Sequence, residues 1–299
     1  MKELCLVHLA RACNGTEPFK RFLDSYRDNP GGIEHDLLIV FKGFERPEHA
    51  EEYRKLLAPF PHLSLEISDE GFDITAYFKA VENYSKEYRY FCFLNSFSVI
   101  LDPEWLKKLH DHVLRPGVGL AGATGSWQSH KRSMNDVLIL ARFVADAHCE
   151  YHNITKRWKS AVVSSIVAIR LVGSIIGNKF GKQNYKRFPN YHIRTNAFMI
   201  AASLMLEIGC NSIRSKEDAY QYESGIDGLS MQIIRRGLRL LIVGRNGIGY
   251  EMHEWDKSNT FCQDEQMNLL VADNQTRQYQ LSNLKKRKDL ARLAWGRWP

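Results

Sequence analysis

The sequence predicts an α/β fold with a mixed, mostly parallel sheet flanked by helices, and three observations carry that reading. Short apolar runs such as Tyr90-Phe91-Cys92-Phe93-Leu94 alternate with segments of helical periodicity. Two of these runs stop at small polar residues: Asn95-Ser96-Phe97-Ser98 follows the run just named, and Thr124-Gly125-Ser126 follows Val118-Gly119-Leu120-Ala121-Gly122-Ala123. Between them lies a helix opened by Asp102-Pro103, with Trp105, Leu106 and Leu109 on one face. Strand, helix and strand describe a parallel βαβ unit, and ligands of open α/β sheets bind at the C-terminal strand ends.

The remaining elements follow in order. Leu4 to Ala10 is a first buried strand, left through the loop Arg11-Ala12-Cys13-Asn14-Gly15. Phe19, Phe22, Leu23 and Tyr26 recur at helical spacing, Asp36 to Phe41 forms a second strand, Glu48 to Leu57 an amphipathic helix, and Leu63 to Ile67 a third strand. Asp73 stands near the N-terminus of a helix running to about Ser85, facing the same edge as the first loop, where a carboxylate serves as a helix cap or as a site residue.

Beyond the central unit, helices at Ser133 to Tyr151 and Ile154 to Ile176 belong to a helical insertion spanning about 133–187. Pro189 to Ile200 is strand-like but loaded with polar groups. His192, Arg194 and Asn196 alternate there, which puts them on one face. A helix at Ser203 to Ile208 stops at Gly209, a helix at Leu229 to Arg236 stops at Gly237, and Leu238 to Val243 is a further strand. The expected organisation is one domain over 1–250 and a C-terminal extension over 251–299, ending in a basic helix with Trp295 and Trp298.

With 299 residues, 44% hydrophobic and 25% charged, the chain can bury a large core, so a disordered class is excluded. A formal charge of +7 favours anionic partners, among them nucleotide phosphates and an anionic membrane face. Nucleic acid fits the charge alone and nothing else in the sequence. The six cysteines form no CxxC pair and no metal-finger spacing, which points to free thiols in a reducing compartment. His148 and His152 stand four apart without the zincin order and read as an exposed face. No run has the length and apolarity of a spanning helix, and the expected location is the cytoplasm, with peripheral contact at the inner face of the cell membrane left open.

The order of these parts resembles a GT-A glycosyltransferase of the family 2 type, whose Rossmann-like fold matches the pattern above. Phe93-Leu94-Asn95-Ser96, Gly122 to Trp127, His192 to Phe198 and Glu223-Ser224-Gly225 are similar to a bacterial subgroup associated with surface polysaccharide, and Gly71-Phe72-Asp73-Ile74 with Leu94-Asn95-Ser96 to the rhamnan-synthesis type. The resemblance implies transfer of a hexosyl or deoxyhexosyl group from a nucleotide sugar to a surface polysaccharide or lipid-linked glycan, with inversion. A catalytically inactive glycan- or nucleotide-binding protein of the same fold is the alternative. One departure keeps that alternative open: where the family carries Asp-x-Asp for a divalent cation, this sequence reads Asn95-Ser96-Phe97-Ser98. Carboxylates suit Mg2+ or Mn2+, and a neutral amide with hydroxyls does so poorly. Either Arg194 or Lys216 meets the diphosphate charge, or Asp102 or His253 supplies a ligand; the metal site is left unassigned.

Inverting transfer requires a carboxylate base, charge stabilisation for the leaving diphosphate and a nucleotide pocket. Glu223 is the first choice for the base, Asp218 the second and Asp227 the third, against the reading that these residues serve a helix N-terminus. Ala10, Arg11, Asp73, Asn95 and Ser96 are expected to surround the donor nucleotide at the strand ends, with Arg11 as a surface charge the alternative reading. Thr124, Gly125, Ser126 and Trp127, with His192, Arg194 and Asn196, are expected to face sugar or acceptor, although Trp127 reads equally as a core residue.

Overall fold

The computed structural model describes residues 1–45, 47–131, 184–210 and 213–296. The helices expected within 133–187, His148, His152 and Trp298 lie outside the described residues. In chain order the first half consists of β1 (Lys2–Arg11), α1 (Thr16–Asp28), β2 (Asp36–Lys42), α2 (Pro47–Leu57), β3 (Leu63–Ile67), α3 (Asp73–Tyr84), β4 (Tyr88–Leu94), β5 (Val99–Ile100), α4 (Trp105–Val113), β6 (Val118–Gly122) and β7 (Gly125–Ser126). The second half adds β8 (His192–Ile193), β9 (Ala197–Ala201), α5 (Ala202–Ile208), α6 (Lys216–Ser224), α7 (Leu229–Arg235), β10 (Arg239–Val243), β11 (Gly249–Tyr250), β12 (Val271–Ala272), α8 (Asn274–Leu281) and α9 (Leu284–Trp295).

Eight strands form one sheet in the order β11-β10-β6-β9-β4-β1-β2-β3. The strands are parallel except β9, antiparallel to both β4 and β6, and β11, antiparallel to β10. Side chains alternate across β1: Cys5, Val7 and Leu9 enter one core layer, Leu4, Leu6 and Ala10 the other. The second layer is closed by Phe19, Phe22 and Leu23 of α1, Tyr53 and Leu57 of α2, and Trp105, Leu106 and Leu109 of α4. The first is closed by α3 and α7 and by Trp255, Phe261, Tyr279 and Trp295, so residues beyond Tyr250 pack into the main core.

β1 is the pivot of the topology. The chain runs outward from β1 through β2 to β3, then returns by α3 to place β4 on the other flank of β1. That reversal leaves a crevice at the C-terminal ends of β1 and β4, the general position for a ligand in such sheets.

Three expectations are corrected. The strands β4 and β6 share a direction but do not touch, because β9 lies between them, with Met199 opposite both Cys92 and Ala121. The helix after β4 begins at Trp105, behind Glu104 at φ 57, and Asp102 does not cap it. Instead the Asp102 carboxylate pairs with Lys108 and, at 3.1 Å, with Arg245. Last, the polar run 192–200 is two strands, β8 and β9, with Arg194, Thr195 and Asn196 turning between them. Among the described residues no helix is long and apolar enough to cross a membrane.

Candidate active site

A cleft of about 470 Å³ opens at the crevice beyond β4, and its walls bring together residues far apart in sequence: Asp73, Asn95, Ser126, His192, Arg194, Asn196, Lys216 and Glu223, with Phe261 and Asp273 from the C-terminal part.

Glu223 is the penultimate residue of α6, and its carboxylate bonds Thr195 rather than the start of α7, whose preceding residue is Gly228. Its Oε2 accepts from the backbone N–H of Thr195 at 2.8 Å and from Thr195 Oγ1 at 2.6 Å. Two donors on one oxygen fix the carboxylate and leave Oε1 without a hydrogen bond among the described residues. Asp73 is the first residue of α3. Burial pushes its carboxyl above the usual range, with Glu223 acting in the same sense, against the opposing charges of Arg11 and Lys42.

Arg194 does not offer a free charge. Its guanidinium is buried, bonds Asp273 Oδ2 at 2.7 Å and Thr124 Oγ1 at 3.3 Å, and lies 4.1 Å from the centre of the Phe261 ring. A chain of donors follows from this. Thr124 Oγ1 accepts from Arg194, so its own proton goes to Asn196 Oδ1 at 2.7 Å. Asn196 must then turn its Nδ2 the other way, where this buried donor has no acceptor among the described residues. Ser96 Oγ is likewise buried without a partner among the described residues. Lys216, the first residue of α6, forms no ion pair among the described residues, and its ammonium stands 5.6 Å from the centre of the Tyr220 ring.

Of the other expected residues, Asn95, Ser126 and His192 line the cleft and the rest do not. Ala10 is buried within the sheet, and Arg11 pairs with Asp69 at 3.0 Å outside the cleft lining. Thr124 and Gly125 support the cleft from behind: Thr124 is buried, and a Cβ on Gly125 would stand 2.9 Å from Ile242 Cδ1. Ser126 lines the cleft while donating to the Ala294 carbonyl oxygen at 3.2 Å. Trp127 packs edge-on against Tyr191 and Trp295 and donates from Nε1 to the Met252 carbonyl, so it serves the core. His192 is buried at the floor, and desolvation holds it below the ordinary imidazole range. Asp218 is part of a capping box, its Oδ2 accepting from the N–H groups of Arg214 and Ser215, and these bonds hold it below the usual carboxylate range. Asp227 is exposed and pairs with Arg235 at 2.7 Å.

Sequence reasoning did not assign roles to Thr195, Asp273 or Phe261. The capping box Asp273-x-x-Thr276 was one available signal, and a buried arginine demanding an acid partner was another.

The end of β4 does not fit a divalent cation. Asn95 Oδ1, the one amide oxygen it could offer, already accepts from Phe97 N at 2.9 Å and Ser98 Oγ at 3.2 Å. Asp273 is committed to Arg194, and Asp102 and His253 do not line the cleft. Among the described residues no group of three His, Cys, Asp or Glu is placed to hold a metal.

No family model and no curated protein matches this sequence. Among solved structures, the chain is similar to a mannosyltransferase from Pyrobaculum calidifontis, solved in complex with GDP-Man and Mn2+, at a TM-score of 0.44 and 9% identity over 80% of this chain and 53% of that one. It spans about half of that protein's length. A 4-diphosphocytidyl-2C-methyl-D-erythritol synthase from Anaerococcus prevotii gives 0.41 and 10% over 80% and 87%. S. aureus TarS residues 1–349 give 0.32 and 12% over 40% and 34%.

Proposed function

We propose that this chain is a GT-A-like glycosyltransferase that moves a sugar from a nucleotide donor to a hydroxyl of a surface polysaccharide or lipid-linked glycan, with inversion. The observation that carries the reading is the Glu223 carboxylate, fixed through one oxygen by Thr195 and facing a cleft at the β1/β4 reversal. In this reading the nucleotide lies across the strand ends near Asp73 and Asn95. The acceptor oxygen attacks the anomeric carbon while the bond from that carbon to the diphosphate breaks. Glu223 Oε1 takes the acceptor's proton, and the electron pair leaves with the diphosphate. The charge that develops there is met by the Lys216 ammonium and the unpartnered Asn196 Nδ2, since Arg194 is already neutralised by Asp273. No step is assigned to a metal, because the strand-end residues do not suit one.

The first test is thermal stabilisation by a panel of nucleoside diphosphates and nucleotide sugars, each with EDTA and with Mn2+, on the intact protein and on Asn95→Ala. A shift with one nucleotide, reduced in the variant, supports the reading and names the donor class. No shift with any nucleotide would overturn it in favour of a silent glycan-binding protein.

A further inference from the structure

A second recess adjoins the cleft. Phe97 and Asn274 border both, and beyond them an open groove of about 570 Å³ runs between α1 and α8, lined by Arg21, Arg277, Leu281 and Lys286. Its charge is one-sided. Arg277 is half-buried, spends one N–H on the Phe97 carbonyl oxygen at 3.0 Å, and has no carboxylate partner among the described residues. Arg21 has only an exposed pair with Glu17 at 3.6 Å. Burial first, and the like charge of Arg21 next, hold the Arg277 guanidinium below the ordinary arginine range. Two arginines on one recess repel each other, an effect that the charge of Asp273 opposes at Arg277, and a bound anion would remove that repulsion. Guanidinium forks match the paired oxygens of a phosphate.

We propose that this groove is an anion subsite that takes a phosphate group of the acceptor between Arg21 and Arg277. Its acceptor role rests on the glycosyl-transfer reading; its anion chemistry does not. The donor diphosphate is assigned to the cleft beside Lys216, so the phosphate across Phe97 and Asn274 belongs to the other substrate. Leu281, 88% exposed, lines the groove beside the basic groups, which suits a phosphate carried on a lipid as well as one free in solution.

The test titrates the full chain with inorganic pyrophosphate and, separately, sediments it with phosphatidylcholine vesicles with or without phosphatidylglycerol. Wild type, Arg21→Gln, Arg277→Gln and Lys216→Gln are compared. The expected result is a binding component weakened at least about tenfold in Arg21→Gln and Arg277→Gln and retained in Lys216→Gln. Arg21 is exposed, so its variant keeps the test valid even if Arg277→Gln folds poorly. Binding confined to anionic vesicles identifies a lipid-borne phosphate, and binding of pyrophosphate alone a soluble one. Equal binding by wild type and both arginine variants, or none by wild type to either probe, overturns the subsite. If no nucleoside diphosphate stabilises any variant while the arginine-dependent component persists, the anion site stands and the glycosyl-transfer reading falls.

Discussion

Thr195 donates both its backbone N–H and its hydroxyl to a single oxygen of Glu223, at 2.8 and 2.6 Å, across 28 residues of sequence. The pairing ties the turn between β8 and β9 to α6. It determines which carboxylate oxygen faces the cleft.

Replacing Glu223 with Gln is therefore expected to abolish transfer, a loss of at least about 100-fold, while nucleotide binding persists. Thr195→Val removes one of the two donors and is expected to lower kcat about tenfold with little change in the donor KM. Asp218→Asn is the contrasting case, since Asp218 serves the capping box. It should retain transfer while reducing thermal stability, most clearly above the carboxyl's titration range. The Asp218 carboxyl is held low in the folded state, so its stabilisation is present above the unfolded value near 4 and is lost as pH falls through the folded one. Steady-state kinetics and melting curves on the three variants check all of this, and loss of transfer in Asp218→Asn with retention in Glu223→Gln would reverse the assignment.

The Arg194–Asp273 pair is buried on both sides, with side-chain exposures of 8% and 1%. Asp273→Asn keeps a cap for α8 but strands the guanidinium, at an expected cost of about 3–5 kcal/mol. Changing both partners, Arg194→Met with Asp273→Asn, should cost less than the single change, because no uncompensated charge stays behind. Urea unfolding of the single and double variants measures the difference.

His8 gives a pH prediction. Its ring is stacked on Phe22 with centroids 3.7 Å apart, both ring nitrogens lack partners among the described residues, and burial pushes its pKa down to about 3. An unfolded histidine titrates near about 6.5, so between those values the unfolded chain binds the additional proton. The contribution of His8 to stability is then complete above about 6.5 and declines as pH falls, by up to about 1.4 kcal/mol per pH unit. His8→Leu should flatten stability over that window. An unchanged acid slope in the variant would show that other groups set it.

Local pattern determined much of this protein. Short apolar runs marked the strands, to the residue for Leu63–Ile67, and the stops at Gly209 and Gly237 marked helix ends, because side-chain spacing and backbone freedom act within a few residues. The order of β1, β2 and β3 was also legible, and with it the edge on which the cleft lies. What lay beyond sequence was pairing at a distance. Nothing local places β9 between β4 and β6, since strand order follows from how helices and sheet close the two core layers. The cleft followed the same logic: Arg194, expected to meet a substrate, is claimed by Asp273 79 residues away, and Trp127 by Tyr191 and Trp295. The sequence named residue types suited to the chemistry. Burial decided which of them had to satisfy one another, and so which were left to face a ligand.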